Sequence, residues 1–586
     1  MLKLEKYIKR NAKPAKRRKM HNYLFVFENK NEKTDVPQYE LASLLRNRAG
    51  YGQLRRGDFS PKGMIKRNKA ENLRPTPDDL PYSFKKTGIL YPLEQTCILS
   101  SREPLDEKTM QDIIGMSGYI HSAGELLIGG KWDSISLSDI EKALKEIEDG
   151  RIGIEMWTEK NMPSEGLEGI AIDSRRYMLD NLPIMNQFAR IQERYELVNV
   201  DRVVTLIKDV HHGGDTWYHG SGDDTYLLAF SPQIRKFSPL QELDENKPYW
   251  KGIDTTPQQL MAAMLNLAGL KSGGYYLDVF GGMGTSMIEA TKDFPAKAYH
   301  NDIMEVEGAL DNFRFLTMNP DKMLEVVKNL SAMRSSDRRR FEKIKELATL
   351  GIDRSRVGSE RAYPDMEPSA KILREEPILR DNFENRLMFY LIRRGLYREA
   401  DLDGGLYDKV SEILESLRRY AENMYKATVE HPEGVWKKNG VIYTARAPRN
   451  EKGVFQTLEY NVMQKDAFSN IPESSIDAIV TDPPYGFGTD ANPQEIVNTY
   501  ENFLRHAFRI LKNGGGLSFC VLDKVKTGKE VNEMLTSEGI KHMIDRVASE
   551  NDVGIASDTF EGEDKMLYWK SKHKLIRGIV NIKVAK

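Results

Sequence analysis

Cysteine is almost missing from this sequence. Cys97 and Cys520 are the only two in 586 residues, too few for a disulfide framework or a thiolate-rich zinc site, and no metal is expected. No run of about 18 apolar residues occurs, and the opening "MLKLEKYIKRNAKPAKRRKM" has no apolar stretch of the kind a secretory leader carries. Neither a membrane span nor an exported protein is expected; the cytoplasm is. Net charge is missing too, with 86 Lys and Arg against 87 Asp and Glu, which excludes a uniformly basic nucleic-acid binder. Internal repeats are absent. At this length a single core is excluded as well, and two to four domains of about 100–200 residues are expected.

The charge that is present is unevenly placed. Lys3, Lys6, Lys9, Arg10, Lys13, Lys16, Arg17, Arg18 and Lys19 face only Glu5 in the first twenty residues. Such a tail either neutralises phosphates or simply keeps the chain in solution. The adjacent His211 and His212 in "HHGGD" read as turn residues rather than metal ligands.

Five segments follow from the patterning. Residues 1–20 are the basic tail. Residues 21–240 form an α+β region of one or two domains without a catalytic signature: "NYLFVF" is a short strand, Leu41, Leu44 and Leu45 recur at helical spacing before Gly50, and Ser138 caps an Ile140/Leu144/Ile147 stripe. "GDTWYHGSGDDTYLLAFSP" reads as two strands around a turn. In 241–320, "PQQLMAAMLNLAGL" is a helix, "YYLDVF" a buried strand, "GGMGT" a tight loop and "SMIEATKDF" the start of another helix. That order opens a Rossmann-like, doubly wound α/β domain. Its next strand, "KAYHNDI", ends in Asp302. Residues 321–455 are mostly helical and charge-rich, with "RSSDRRRFEKIK" as a basic separator. Strand patterning resumes at "LEYNVMQKDAF" and "IDAIVTDPPYG" in 456–586, so 321–455 reads as a helical insertion.

Parallel doubly wound sheets bind ligands at the carboxyl ends of their strands. Asp278, Asp302, Asp466 and Asp482 are all expected on that edge. The Gly281-Gly282-Met283-Gly284 turn lets the backbone approach a ligand closely, and Asp302 can accept hydrogen bonds from ribose hydroxyls. A nucleoside-bearing cofactor is implied. No Walker lysine follows, so a nucleoside triphosphate fits poorly.

The run Asp482-Pro483-Pro484-Tyr485 supplies the chemistry. A carboxylate and a prolyl carbonyl, held by two residues with locked φ, can accept both hydrogens of an aromatic amine. The amine lone pair is then steered toward an electrophile, and Asp482 can take up the released proton. Tyr485 offers a ring on which an extruded base stacks, worth about 1–3 kcal/mol. Methyl transfer to an exocyclic amine suits this arrangement, with alignment lowering the barrier. Cytosine C5 chemistry needs a cysteine nucleophile, and neither cysteine lies in these loops.

These residues resemble the class I S-adenosylmethionine-dependent amino-methyltransferases, with "LDVFGGMGT" similar to the cofactor loop and "TDPPYG" to the catalytic one. "KPYWKGIDTTPQQLMAAMLNLAGL", "DAIVTDPPYG" and "SKHKLIRGIVNI" look like the THUMP-associated tRNA guanine-N2 methyltransferases in particular. "NYLFVFENKNEKTDVPQYELASLL" is similar to that family's N-terminal opening. The resemblance implies S-adenosyl-L-methionine as cofactor, held by Asp278, Phe280, Gly282, Gly284, Thr285, Asp302 and Asp466, and catalysis by Asp482, Pro483, Pro484 and Tyr485. It implies a nucleic-acid partner, tRNA ahead of DNA, with residues 21–240 holding the RNA; a small activating subunit or self-association is left open. Val279 stands where the family has proline, and Met283 where it has a small residue, which is expected to reshape the cofactor pocket. The rival readings are a DNA adenine-N6 methyltransferase using 321–455 for target recognition, and a binding subunit that keeps the fold without the reaction.

Overall fold

The computed structural model describes residues 21–27, 33–56, 65–66, 86–92, 96–131, 152–158, 191–192, 196–197, 202–209, 225–233, 247–249, 256–350, 367–398, 405–430, 435–438, 441–444, 453–485, 492–525, 535–556, 567–572 and 575–586. The basic tail, the Ser138 helix, His211–His212 and the first strand of the 214–232 pair lie outside them. No helix among the described residues is long and apolar enough to cross a membrane.

Two large sheets organise the chain. The first runs in the order Tyr51–Arg56, Lys86–Pro92, Thr96–Ser101, His21–Phe27, Ile120–Lys131, Thr225–Gln233, Arg202–Asp209, Ile152–Thr158. His21–Phe27 is central to it and lies antiparallel to both neighbours. The helix Val36–Ala49 follows, ended by Gly50 at φ 76°, a left-handed cap that glycine adopts at little cost.

The second sheet carries the site. Its order is Val454–Leu458, Lys297–Asn301, Tyr275–Asp278, Ile476–Thr481, Leu511–Val525, Leu575–Ala585, Leu567–Lys572, Lys33–Thr34. The first five strands are parallel, and Leu575–Ala585 is antiparallel to its neighbours on both sides. Strand order reverses between Tyr275–Asp278 and Ile476–Thr481, which opens a crevice at their carboxyl ends. This is the expected Rossmann-like, doubly wound α/β arrangement.

Each face of that sheet has its own core. On one, Ala478, Val480, Cys520 and Ile579 pack with Leu260, Met264 and Leu267 of helix Gln258–Ala268 and, in the same cluster, with Phe25, Tyr39 and Leu41 of the N-terminal region. On the other, Leu277, Val279 and Ile479 meet Phe503 and Phe508 of helix Pro493–Ile510 and Ile544 of helix Ser537–Glu550.

The junction of the two sheets is polar at its centre. Glu40 is wholly buried and accepts from Ser117 Oγ (2.7 Å), Gly118 N–H (2.6 Å), Tyr119 N–H (3.1 Å) and Asn266 Nδ2 (2.8 Å). Gly118 sits so close that a Cβ there would lie 2.1 Å from the Gln259 carbonyl oxygen. Four donors on one carboxylate compensate its desolvation.

Helices Pro320–Ser336, Arg338–Thr349, Glu367–Glu375, Pro377–Arg380, Phe383–Arg398 and Leu406–Glu430 lie in sequence between two adjacent parallel strands, Lys297–Asn301 and Val454–Leu458, and form a third core. The basic separator read from the sequence is instead the second of these helices. Asp337 caps it by accepting from Arg340 N–H at 3.1 Å, and Phe341, Ile344 and Leu347 form a buried stripe that the surrounding charges hide. Arg386 fastens the insertion with a two-pronged, buried contact to Asp311 (2.7 and 2.9 Å), which Tyr390 Oη joins at 2.8 Å.

Candidate active site

The strand Tyr275–Asp278 ends in a carboxylate that the protein uses itself. Asp278 is buried and accepts from Ser286 Oγ, from Thr481 Oγ1 at 2.6 Å and from Phe280 N–H at 3.2 Å. Phe280 N–H also reaches Thr481 Oγ1 at 2.9 Å. Asp278 thus ties the glycine loop to the strand that delivers Asp482. Burial pushes its carboxyl up to about 7, against the lowering effect of those donors.

Behind it the loop is shaped by two glycines at positive φ, Gly282 at 47° and Gly284 at 79°. Gly284 caps helix Thr285–Asp293, and a Cβ on it would lie 3.2 Å from Ala309 Cβ. A Cβ on Gly282 would meet nothing within 4 Å, so open space lies in front of the loop. Asp302 accepts from Gly282 N–H (3.0 Å), Met304 N–H (2.8 Å) and Glu305 N–H (2.9 Å). A carboxylate has about four acceptor positions, so one remains for a ligand hydroxyl. His300, not singled out from sequence, braces the loop: it is buried, and its Nε2 lies 3.0 Å from the Gly282 carbonyl. Burial holds its pKa below the ordinary value, so the neutral ring donates from Nε2. Thr285 is buried, and its hydroxyl accepts from the fully buried Lys247 Nζ at 2.8 Å.

Three expectations change here. The third strand is Val454–Leu458, and "YNVMQKDAF" falls in turns. Asn301 ends the ladder by donating to the Tyr460 carbonyl (3.1 Å) and accepting from Tyr460 N–H (2.8 Å), so side-chain bonds replace the next strand pairing. Asp466 therefore sits exposed in that turn segment, past the strand rather than at its end. Met283 does not line the cofactor space; it is buried in the core of the inserted helices beside Tyr249, Ile288 and Phe315. Phe280 directs its ring away from the loop, edge-on to Phe503 of the covering helix at 5.7 Å between centroids, leaving its backbone at the crevice. Val279 is accommodated in the core on that face.

Asp482 leaves the end of Ile476–Thr481 among hydroxyl and guanidinium partners. Thr256 Oγ1 and Tyr485 Oη both donate to it, one to each oxygen. Arg577 Nη1 stands 3.8 Å from Oδ2. Burial raises the Asp482 pKa above the ordinary carboxylate value, while Arg577, Thr256 and Cys520 pull it down. Pro483 is buried, Pro484 and Tyr485 are half-buried, and Tyr485 packs on the central core. Cys520, set aside because it lies in no loop, borders Asp482 from the strand Leu511–Val525. It is buried, with Sγ 3.6 Å from Met264 Sδ, which denies it a nucleophile's access to a base.

Part of this crevice lies in a segment that matches a methyltransferase family model. Residues 384–546 match the model of the family UPF0020, described as RMKL-like, methyltransferase domain, and that segment includes Asp482 and the strand before it. No curated protein sequence matches the chain. Among solved structures it is similar to TrmN from Thermus thermophilus, with 12% identity over 96% of this chain and 99% of that one and a TM-score of 0.36. It is also similar to a possible methylase from Clostridium difficile 630 (10% identity, 97% and 99% covered, TM-score 0.33). A third is a predicted N6-adenine-specific DNA methylase from Listeria monocytogenes (9%, 86% and 89%, TM-score 0.29). The methyl donor this class implies is S-adenosylmethionine, and the open Gly282 cradle beside the spare acceptor position of Asp302 fits its nucleoside.

Proposed function

We propose that this chain methylates the exocyclic amine of a nucleic-acid base, guanine N2 in tRNA, with S-adenosylmethionine as donor. The observation that carries the reading is Asp482: a carboxylate at the crevice, cross-linked through Thr481 and Asp278 to the glycine loop. Bound there, S-adenosylmethionine supplies an electrophilic sulfonium methyl.

The protein's own groups do the rest in this reading. Gly282, Gly284 and Asp302 hold the nucleoside, with Thr285 and Lys247 stiffening the loop from behind; Asp466 is retained as a contact from the turn segment. Asp278 acts as a strut between the two loops. The arriving amine displaces the Tyr485 hydroxyl from Asp482, donating one hydrogen to the carboxylate and one to the Pro483 carbonyl. Pro483 and Pro484 cannot donate to that carboxylate and cannot rotate about φ, so the acceptors stay aimed. Tyr485, once displaced, stacks on the base. Asp482, with its raised pKa, is suited to receive the proton that the amine sheds. Residues 21–240 hold the RNA, residues 321–455 are an insertion in the catalytic domain, and the protein works in the cytoplasm.

The test is a nucleoside digest. The full chain is incubated with S-adenosylmethionine and either unmodified tRNA or DNA, and products are read by mass spectrometry. N2-methylguanosine from tRNA is expected. N6-methyladenine from DNA with no methylguanosine from tRNA overturns the reading in favour of a DNA enzyme.

A further inference from the structure

Side chains alternate along a strand, so Ala478, Val480 and Asp482 share one face, and Ile579 and Arg577 share one on the C-terminal strand. Ala478, Val480, Cys520 and Ile579 lie in a single core, with Cys520 in register opposite Ile579. One step beyond that core, the same alternation carries Arg577 to the point where Asp482 leaves the sheet. The Arg577 side chain is 18% exposed and that of Asp482 14%. The Arg577 Cζ also lies 5.6 Å from the centroid of the Tyr485 ring.

The 3.8 Å separation matters. It is too long for a hydrogen bond and short enough for a charge contact, so Arg577 leaves the lone pairs of Asp482 to its hydroxyl partners. Among the described residues, the other titratable groups facing Asp482 are Tyr485 from its own loop, Cys520 from Leu511–Val525 and Tyr500 from helix Pro493–Ile510. Tyr500 is pushed up by burial and then by Asp482. None of these three can carry positive charge.

We infer that Arg577 is a positioning residue of the catalytic loop: reaching across from the C-terminal strand, it keeps Asp482 an acceptor and covers one face of the Tyr485 ring. An incoming base is thereby left the opposite ring face and a carboxylate ready for its amine. This rests on reading Asp482 as the group that meets the target amine. Burial works against the ionised form of Asp482, and an opposite charge at this range favours it. Without Arg577, Asp482 protonates at higher pH and stops accepting.

The experiment separates this proposal from the choice of substrate. Full-length protein carrying 13Cγ-labelled aspartate is titrated by NMR, with Asp482→Asn identifying the resonance. Arg577→Met should shift the Asp482 midpoint to higher pH, and Arg577→Lys should restore it. An unmoved midpoint in a folded Arg577→Met protein overturns the inference; if that variant fails to fold, Arg577→Gln is read by the same rule. In transfer of labelled methyl from S-adenosylmethionine to unmodified tRNA, the Arg577→Met deficit should shrink as pH rises. A deficit equal at every pH marks a merely structural role and likewise sinks it. If the wild-type protein methylates neither tRNA nor DNA, the functional reading falls, while the titration still decides the role of Arg577.

Discussion

Asp482 has to be ionised to accept and must also be basic enough to receive a proton. Burial and the Arg577 charge pull in opposite directions on that balance, and both hydroxyl partners favour the acceptor state. Asp482→Asn replaces one acceptor oxygen with a donor NH2 that faces the amine's hydrogens. It should lower kcat by about 100- to 10,000-fold while calorimetry finds S-adenosylmethionine binding unchanged; wild-type turnover in the variant would mean that another acid acts. Asp278 allows a second residue-level prediction. Its carboxyl is held up to about 7 in the folded protein, against about 3.9 in an unfolded chain. Between those values the native state keeps a proton that the unfolded state has released, so this group's contribution is fully present below about 4 and is lost as pH rises to about 7. Chemical denaturation across that window should reveal the slope, and Asp278→Asn should flatten it.

At the level of single elements, the glycine loop and the inserted helices make separate claims. Gly284→Ala forces a side chain into a left-handed conformation and against Ala309, and should cost about 1–2 kcal/mol, seen as a lower Tm. Arg386→Met removes the two-pronged partner of the buried Asp311 carboxylate, leaving it Tyr390 and the more distant Arg314, and should cost about 3–5 kcal/mol, with Asp311→Asn in the same background recovering part of the loss. Elements were legible in the sequence where their signal was local. The strands ending at Asp278 and Asp482, the glycine turn and Asp302 are each written within a dozen residues. Asp466 reads as a strand end because Leu458, Tyr460 and Val462 alternate like a strand, whereas Asn301, far earlier in the chain, stops the ladder with its side chain. Thr256 and Arg577 lie in segments that carry the family resemblance, but nothing in their spacing ties them to Asp482, which they reach only through tertiary packing.

For the molecule as a whole, the N-terminal region and the catalytic sheet share one apolar core with Glu40 at its polar centre. Glu40→Ala leaves four buried donors without their carboxylate, each costing about 1–3 kcal/mol. Thermal unfolding of this variant should begin well below that of the wild type. A single unchanged transition would mean that the apolar contacts alone fasten the two sheets.

The strand that bears Arg577, Leu575–Ala585, is an interior strand of the catalytic sheet, flanked by Leu511–Val525 and Leu567–Lys572. During synthesis, the sheet therefore stays incomplete until residue 585 has cleared the ribosome, long after the glycine loop has emerged. The nascent chain must hold a half-built, unpaired edge at Leu511–Val525 in the meantime, a state in which chaperone binding or self-association competes with maturation.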